Sequence, residues 1–210
     1  MSLDSLFPHF SLVPVVVINH ADDAVPLAES LLEGGITSIE ITLRTEAALD
    51  AIYQVSKYVP DIINGVGTVT NIDQMKAAKE AGAVFQVSPG ITPTLAQYAQ
   101  SHDIDWLAGV TDASQIMLAK EYSLAHMKFF PASLSGGVPM LKQFASVFPD
   151  VRFCPTGGIS LDNMNDYAAL KNVFAMGGSW LTPKDAIAEK DFMRITKICK
   201  DTIEELKRVA

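Results

Sequence analysis

The segment GGITSIEITLRTEAALDAIYQVSKY, residues 34–58, contains the two patterns that decide the fold. Residues 38–43 form a short apolar run rich in β-branched side chains, which predicts a buried β-strand. Residues 46–58 then repeat apolar side chains at helical spacing, which predicts an amphipathic helix. The segment is therefore predicted to form one strand–helix unit.

The same unit recurs along the whole chain. Apolar runs lie at residues 12–18, 38–43, 61–66, 83–87, 104–108, 126–130, 151–154 and 173–176. Helical patterns separate them, for example at residues 24–33, 73–81 and 93–100. Residues typical of helix ends support these helices, with N-caps expected at Asp22, Thr45, Asn71, Thr92, Asp112 and Ser160 and C-caps at Gly34 and Gly82.

Eight such units favour a closed barrel over a doubly wound open sheet. The 210 residues leave about 26 for each unit, close to what a strand, a helix and two turns need. A doubly wound sheet usually has a glycine-rich first turn, whereas the first turn here is Asn19-His20-Ala21. We predict an α/β fold, a (β/α)8 TIM barrel with a short N-terminal helix, as a single domain over residues 1–210.

The composition argues against several classes of partner. Hydrophobic residues make up 49% and charged residues 19% of the chain, which is typical of a globular protein. A formal charge of -8 disfavours nucleic acid and anionic membranes as partners. The N-terminal residues lack the long apolar run of a signal peptide, and no segment has the apolar length of a membrane span. We therefore expect a cytoplasmic protein.

The cysteines and histidines give no sign of a metal or disulfide site. Only Cys154 and Cys199 occur, and Cys154 is expected in the core. The four histidines are scattered without partners at ligand spacing. We therefore expect no metal and no other cofactor.

Lys128 is the most unusual residue at the predicted strand ends, where the catalytic groups of such barrels lie. It lies in the apolar strand sequence His126-Met-Lys-Phe-Phe-Pro131. Burial disfavours the charged form of an amine and makes it nucleophilic near neutral pH. A strand lysine more often points outward, so its position alone leaves both interpretations open.

Glu40 and Arg44 end the second predicted strand. Period-two alternation places them on one face, either as a structural ion pair or as a proton-transfer residue beside a carboxylate clamp. The next strand ends in Gly65-Val-Gly-Thr68, where glycines would let a ligand approach the backbone and the Thr68 hydroxyl would donate a hydrogen bond. An ordinary tight turn explains this second motif equally well.

Two glycine pairs, Gly157-Gly158 and Gly177-Gly178, follow the last two predicted strands. In such barrels the loops at these places form a recurrent phosphate site from backbone N–H groups. We predict phosphate binding at Gly157, Gly158, Gly178 and Ser179. This site would explain how an acidic protein binds an anionic ligand. Pro89, Phe130 and Thr156 lie at strand ends as well, and we expect them to contact the substrate.

The motifs together resemble one family. The stretches Glu40-Ile-Thr-Leu-Arg44, Lys128-Phe-Phe-Pro131, Pro155-Thr-Gly-Gly158 and Gly178-Ser-Trp180 resemble the 2-keto-3-deoxy-6-phosphogluconate (KDPG) aldolases in order and spacing. The resemblance implies a class I aldolase, usually a homotrimer, that forms pyruvate and glyceraldehyde 3-phosphate in the Entner–Doudoroff pathway. Many members also cleave 4-hydroxy-2-oxoglutarate (KHG).

The resemblance also implies residue roles. Lys128 matches the Schiff-base lysine and Glu40 the general acid/base, while Arg44 and Thr68 match the groups that hold the pyruvate carboxylate. The glycine pairs match the phosphate segment. Two positions depart from the family pattern: Ser123 replaces a usual glycine, and Ser133 stands where glutamate is common.

Three alternatives remain open at this point. The chain could be a member that prefers the galacto epimer, although Thr156 is similar to the residue of gluco-selective members. It could also be a phosphosugar isomerase or epimerase on the same barrel, which would not need Lys128. The third alternative is a non-catalytic protein that binds a phosphorylated metabolite.

Overall fold

The computed structural model describes residues 3–207 and contains eight parallel strands that alternate with helices. The strands are β1 Ser11–Val16, β2 Ser38–Thr42, β3 Ile63–Gly67, β4 Phe85–Val87, β5 Trp106–Val110, β6 His126–Phe129, β7 Arg152–Pro155 and β8 Ala175–Gly178. The helices are α1 Leu3–Leu6, α2 Ala24–Glu33, α3 Ala48–Tyr58, α4 Ile72–Glu80, α5 Pro93–Ser101, α6 Ala113–Glu121, α7 Gly137–Val147, α8 Met164–Ala168, α9 Lys184–Ala188 and α10 Phe192–Lys207. Each predicted strand overlaps an observed one, and their limits differ by at most two residues.

The strands close into a barrel. Their order is β7-β6-β5-β4-β3-β2-β1-β8, and bridges from Phe153 to Val173 and from Thr156 to Gly177 join the two ends. The predicted (β/α)8 barrel with a short N-terminal helix is therefore confirmed, and the open-sheet alternative is wrong. No helix within residues 3–207 combines the length and apolar character needed to cross a lipid bilayer.

Alternation along the strands divides the apolar side chains into two cores. On β2, Ile39 and Ile41 belong to the large core that the strands share with the surrounding helices. A smaller core fills the barrel interior and contains Leu6, Phe7, Val13, Phe85, Val87, Leu107, Cys154, Phe174 and Ala175. Residues such as Glu40, which alternate with the outward-facing isoleucines, therefore point into the barrel.

Helix α1 covers the N-terminal end of this interior. The Phe7 ring packs edge-on against Phe85, with ring centroids 5.4 Å apart. His126, the first residue of β6, places its Nε2 atom 3.2 Å from Asp4 of α1. Burial lowers the pKa of the His126 imidazole, and the nearby Asp4 carboxylate opposes this shift. The N-terminal end of the barrel is therefore closed by packed side chains.

Half of the expected N-caps are confirmed. The side chains of Asn71, Thr92 and Asp112 accept hydrogen bonds from the backbone N–H groups of Gln74, Leu95 and Gln115. The caps expected at Asp22, Thr45 and Ser160 are wrong, because a 3-10 helix precedes α2 and a turn precedes α3 and α8. The observed N-caps are Asp23, Ala47 and Asn163. Gly34 is the C-cap of α2, whereas at α4 the C-cap is Ala81 and Gly82 follows it with φ +94°.

Candidate active site

Lys128 and Glu40 meet inside the barrel. They lie on β6 and β2, which face each other across the interior, and the Lys128 Nζ atom donates to Glu40 Oε1 at 3.0 Å. Their relative exposures are 6% and 3%. A charged pair this deep is costly to desolvate, so each group depends on the other. Lys128 therefore points inward and does not take the outward orientation that is usual for a strand lysine.

Arg44 does not form the ion pair with Glu40 that the sequence left open. Glu40 pairs with Lys128, whereas the Arg44 Nε atom donates to the Thr68 hydroxyl at 3.2 Å. Thr68 has φ +63°, a left-handed conformation that is strained for a β-branched residue. The contact thus links the end of β2 to a strained residue directly after β3, and it leaves the exposed Arg44 guanidinium at the barrel mouth.

Glycines on neighbouring strands make room for the buried pair. A Cβ atom on Gly67 would overlap the Glu40 carboxylate, and one on Gly65 would overlap the Phe85 ring. These two glycines were expected to let a ligand approach the backbone, but they accommodate side chains of the protein itself. On β5, Gly109 similarly leaves space for the backbone of Pro89. The mouth is thus shaped by small residues next to large ones.

A cavity of about 260 Å³ opens at the C-terminal ends of the strands. Its lining includes seven of the predicted site residues, namely Arg44, Phe130, Thr156, Gly157, Gly158, Gly178 and Ser179. The Lys128 Nζ atom lies 5.3 Å from the centre of the Phe130 ring, which places the buried pair next to this cavity. Pro89 is not among the residues that line it.

The loop after β7 presents its glycines in left-handed conformations, with φ +96° at Gly157 and +75° at Gly158. Ser133 packs against this loop, since its N–H donates to the Gly157 carbonyl at 3.1 Å and a Cβ atom on Gly158 would overlap its hydroxyl. Ser133, noted above as a departure from the family pattern, therefore contacts the predicted phosphate segment. The small side chain of Ser133 fits at the point where Gly158 comes closest to it.

Cys154 lies beside Lys128 on the neighbouring strand β7. Burial raises the pKa of its thiol to about 12, with a smaller opposing effect from the Lys128 amine. The thiol therefore stays protonated at neutral pH and behaves as a core residue, as predicted. Within residues 3–207, no group of three His, Cys, Asp or Glu side chains is arranged to hold a metal ion.

Comparison with known families agrees with this geometry. Residues 3–198 match the family model described as KDPG and KHG aldolase. The chain belongs to this aldolase family. The resemblance drawn from the strand-end motifs is therefore confirmed, and the match covers the barrel from α1 into α10.

Individual members of the aldolase family are similar over nearly their whole length. The KHG/KDPG aldolase of Escherichia coli (strain K12) is 46% identical over 206 residues, which cover 98% of this chain and 97% of that protein. The 2-dehydro-3-deoxy-phosphogluconate aldolase of Dickeya dadantii (strain 3937) is 47% identical over 192 residues, 91% of this chain and 90% of that protein.

A solved aldolase structure has the same fold. The KDPG aldolase of Legionella pneumophila, determined with pyruvate captured as a covalent carbinolamine intermediate, superimposes with a TM-score of 0.93. It is 40% identical and covers 96% of this chain, which in turn covers 98% of it. That structure shows a covalent pyruvate adduct on a closely similar barrel.

Two lining residues of this aldolase were not selected from the sequence. Thr182 and Lys184 line the same cavity as the glycine pairs. They follow Gly178-Ser-Trp180, and the Thr182 N–H donates to the Ser179 carbonyl at 3.2 Å, which turns the chain back over the cavity. The signal that could have found them is their place in the loop directly after the last glycine pair.

Proposed function

We propose that this aldolase cleaves KDPG to pyruvate and glyceraldehyde 3-phosphate through a Schiff base on Lys128. The observation that carries the proposal is the buried Lys128 amine, 3.0 Å from Glu40 and next to a cavity lined by Gly157, Gly158 and Gly178. A nucleophile, a proton-transfer group and an anion site are the three parts that such a reaction needs.

The chemistry requires an electron sink at C2 of the substrate. When the C3–C4 bond breaks, its electron pair goes to C3, and a protonated imine at C2 accepts it far better than a ketone does. Lys128 attacks C2, and loss of water gives this imine. Glu40, the partner of the amine, is placed to accept the proton that Lys128 must lose before attack.

Glu40 first returns that proton to the C2 hydroxyl, which leaves as water, and as a carboxylate again it serves the two later proton transfers. It removes the C4 hydroxyl proton, so that C4 becomes the aldehyde of glyceraldehyde 3-phosphate as the C3–C4 bond breaks. The same carboxyl group returns a proton to C3 of the enamine, and hydrolysis of the resulting imine releases pyruvate and free Lys128. Because the imine is the electron sink, we infer that the enzyme needs no metal ion.

The remaining groups orient the substrate at its two ends. We assign the pyruvate carboxylate to Arg44 and Thr68, because a guanidinium binds a carboxylate through two parallel hydrogen bonds. We assign the phosphate to Gly157, Gly158, Gly178 and Ser179, whose N–H groups lie in loops after the last two strands. Pro89, Phe130 and Thr156 are proposed to contact the carbon chain between these ends.

Borohydride trapping with pyruvate tests the proposal. Reduction should leave a three-carbon adduct on Lys128 alone, located by mass spectrometry of the digested protein. Lys120→Ala is a matched control, because Lys120 is a surface lysine paired with Asp150 and its loss should leave trapping unchanged. An adduct on another lysine, or none at all, would contradict the assignment.

A coupled assay for pyruvate separates this proposal from its alternatives. Turnover of KDPG, of its galacto epimer and of KHG should be compared with the same enzyme. A phosphosugar isomerase or epimerase, or a binding protein without activity, would release no pyruvate from any of them. Faster cleavage of the galacto epimer would show that the galacto epimer is the preferred substrate, while the proposed mechanism would stay the same.

Three further properties complete the proposal. We infer a homotrimer, as the family resemblance implies, and mass photometry or light scattering tests it. We infer a cytoplasmic location, because a substrate with a carboxylate and a phosphate does not cross an apolar bilayer unaided. The partner is then a small phosphorylated keto acid and not nucleic acid, in line with the charge of -8.

A further inference from the structure

The loop after β8 brings two more polar side chains to the cavity. Thr182 is only 3% exposed, and its hydroxyl has no hydrogen-bond partner among the residues that the structure describes. A buried hydroxyl without a partner is costly, and such groups in native proteins usually need an explanation. Thr182 lines the cavity beside Gly158 and Gly178, but neighbouring atoms cover its hydroxyl oxygen, so the side chain must rotate before a ligand in the cavity can become its partner.

Lys184 adds a positive charge to the same wall. It is exposed, and across residues 3–207 its ammonium group has neither an ion pair nor a hydrogen bond. Several other surface cations, such as Lys120, Lys190 and Arg194, are paired with aspartates. Arg44 is the other cation of the cavity wall and already donates to Thr68. Among the described residues, Lys184 is thus the cation of this wall that is left without a partner.

We propose that Thr182 and Lys184 bind the substrate phosphate and make this enzyme prefer phosphorylated over unphosphorylated keto acids. The inference rests on the proposed function, since it extends the phosphate site assigned there. The Lys184 ammonium supplies the charge that backbone N–H groups lack. Rotation about the Thr182 side-chain bond exchanges its methyl and hydroxyl groups, which lets the hydroxyl donate to a phosphate oxygen.

The different lengths of the two substrates explain why this preference is expected. KDPG extends two carbons and a phosphate beyond the reacting C4, whereas KHG ends in a carboxylate on the next carbon. Contacts in the cavity therefore act on the phosphate of KDPG, while both substrates share the pyruvate half at Lys128. The two residues should change the ratio of the two activities without changing the chemistry at the imine.

Two variants that remove a polar group but keep most of the side-chain volume test the preference. Lys184→Met should lower kcat/KM for KDPG by about 10-fold, mainly through KM, because an exposed charge contact is partly screened by water and salt. Thr182→Val should lower it by roughly 3- to 10-fold, the effect of one hydrogen bond. Activity on KHG should stay the same in both, and Thr182→Ser, which keeps the hydroxyl, should restore KDPG activity.

A matched control removes the same charge elsewhere. Lys171 is exposed just before β8, at the opposite end of the barrel, and Lys171→Met should change neither activity. Inorganic phosphate should also inhibit the wild type competitively and inhibit Lys184→Met more weakly. Equal losses on KDPG and KHG, or no loss on KDPG, would overturn the inference.

Proton exchange at C3 of pyruvate separates this inference from the proposed function. Exchange needs the Lys128 imine and Glu40 but no phosphate, so Lys184→Met and Thr182→Val should exchange at the wild-type rate. Normal exchange in the variants, together with an unchanged ratio of KDPG to KHG activity, would contradict the proposed phosphate contacts but leave the proposed function intact. If the wild type itself shows no exchange, the proposed function fails and the inference falls with it.

Discussion

The two ends of the barrel interior differ in what covers them. At the N-terminal end, Leu6 and Phe7 lie with Phe85 and Phe174 in one buried apolar cluster under α1. At the C-terminal end, a charged pair lies next to an open cavity. Strand β6 contributes to both ends, with His126 near α1 and Lys128 two residues further on. Two inward-facing side chains of one strand, two residues apart, therefore lie in an apolar environment at one end and a polar environment at the other.

The difference separates stability from function along a single strand. Apolar side chains buried under α1 contribute roughly 1.5–3 kcal/mol each. The ion pair at the mouth must recover its own desolvation energy, so it adds little or nothing to stability. Barrels generally carry their chemistry at this end and their stabilising contacts at the other. Substitutions at the open end should then change turnover, whereas substitutions at the closed end should change stability alone.

Lys128→Met should have the largest effect, because it removes the proposed nucleophile from the open end. Turnover of KDPG is expected to fall on the order of 10⁶-fold, as when other covalent nucleophiles are removed. The change also leaves the buried Glu40 carboxylate unpaired, which should cost about 3–5 kcal/mol of unfolding free energy. Steady-state kinetics and urea unfolding measure the two effects.

The double variant Lys128→Met/Glu40→Gln separates those effects. It removes the uncompensated charge, so most of the lost stability should return while turnover stays absent. His126→Gln, on the same strand at the closed end, is the positional control and should retain turnover. Measurable aldolase activity in Lys128→Met, or loss of activity in His126→Gln, would contradict the assignment of catalysis to the open end of the barrel.

Glu40→Gln should have the next largest effect. Its amide can still accept a hydrogen bond from Lys128 but cannot carry the proton, so turnover should slow by roughly 10²- to 10⁴-fold. Trapping of pyruvate by borohydride should persist at a lower rate, because Glu40 also accepts the Lys128 proton, while exchange at C3 of pyruvate in heavy water should slow in parallel with turnover. Unchanged exchange would show that another group moves the proton.

Phe7→Ala tests the closed end. Loss of a ring packed against Phe85 and Phe174 should reduce the free energy of unfolding by about 3–5 kcal/mol. The kcat of the folded enzyme should be unchanged, because the Lys128–Glu40 pair lies at the other end. Urea unfolding beside kinetics at low temperature provides the test. A lower kcat without a change in stability would mean that α1 supports the active site directly.

The sequence predicted most of what depends on periodicity. All eight strands follow from apolar runs, and the period-two alternation used for Glu40 agrees with the position of Ile39 and Ile41 in the large outer core. The helix caps at Asn71, Thr92 and Asp112 are local features and were found as well. Local patterns of this kind need no knowledge of which strands face each other.

Features that depend on three-dimensional contacts were not predicted. Glu40 and Lys128 are 88 positions apart, and their pairing follows from barrel closure and not from any local pattern. The role of Gly67 became clear only from the Glu40 carboxylate that occupies its open side. Thr182 was missed because no sequence motif marks the loop after the last glycine pair, and its burial and its hydroxyl without a partner within residues 3–207 are what single it out.

Ser123→Gly should have the smallest effect, and it should raise the free energy of unfolding, whereas Phe7→Ala lowers it. Ser123 follows the C-cap of α6 with φ +61°, and the N–H groups of Ser123 and Leu124 donate to Lys120 and Ala119, the pattern that normally ends in glycine. The left-handed conformation costs a serine about 1–2 kcal/mol, and the greater freedom of glycine in the unfolded chain offsets part of this. A net gain of roughly 0.5–1 kcal/mol is expected in urea unfolding.

The turnover kinetics of Ser123→Gly should not change, because the turn precedes β6 at the closed end. The reverse control Gly82→Ser, at the end of α4, should destabilise the protein. A Ser123→Gly variant that is less stable than the wild type would show that the serine makes a stabilising contact which outweighs its strained backbone.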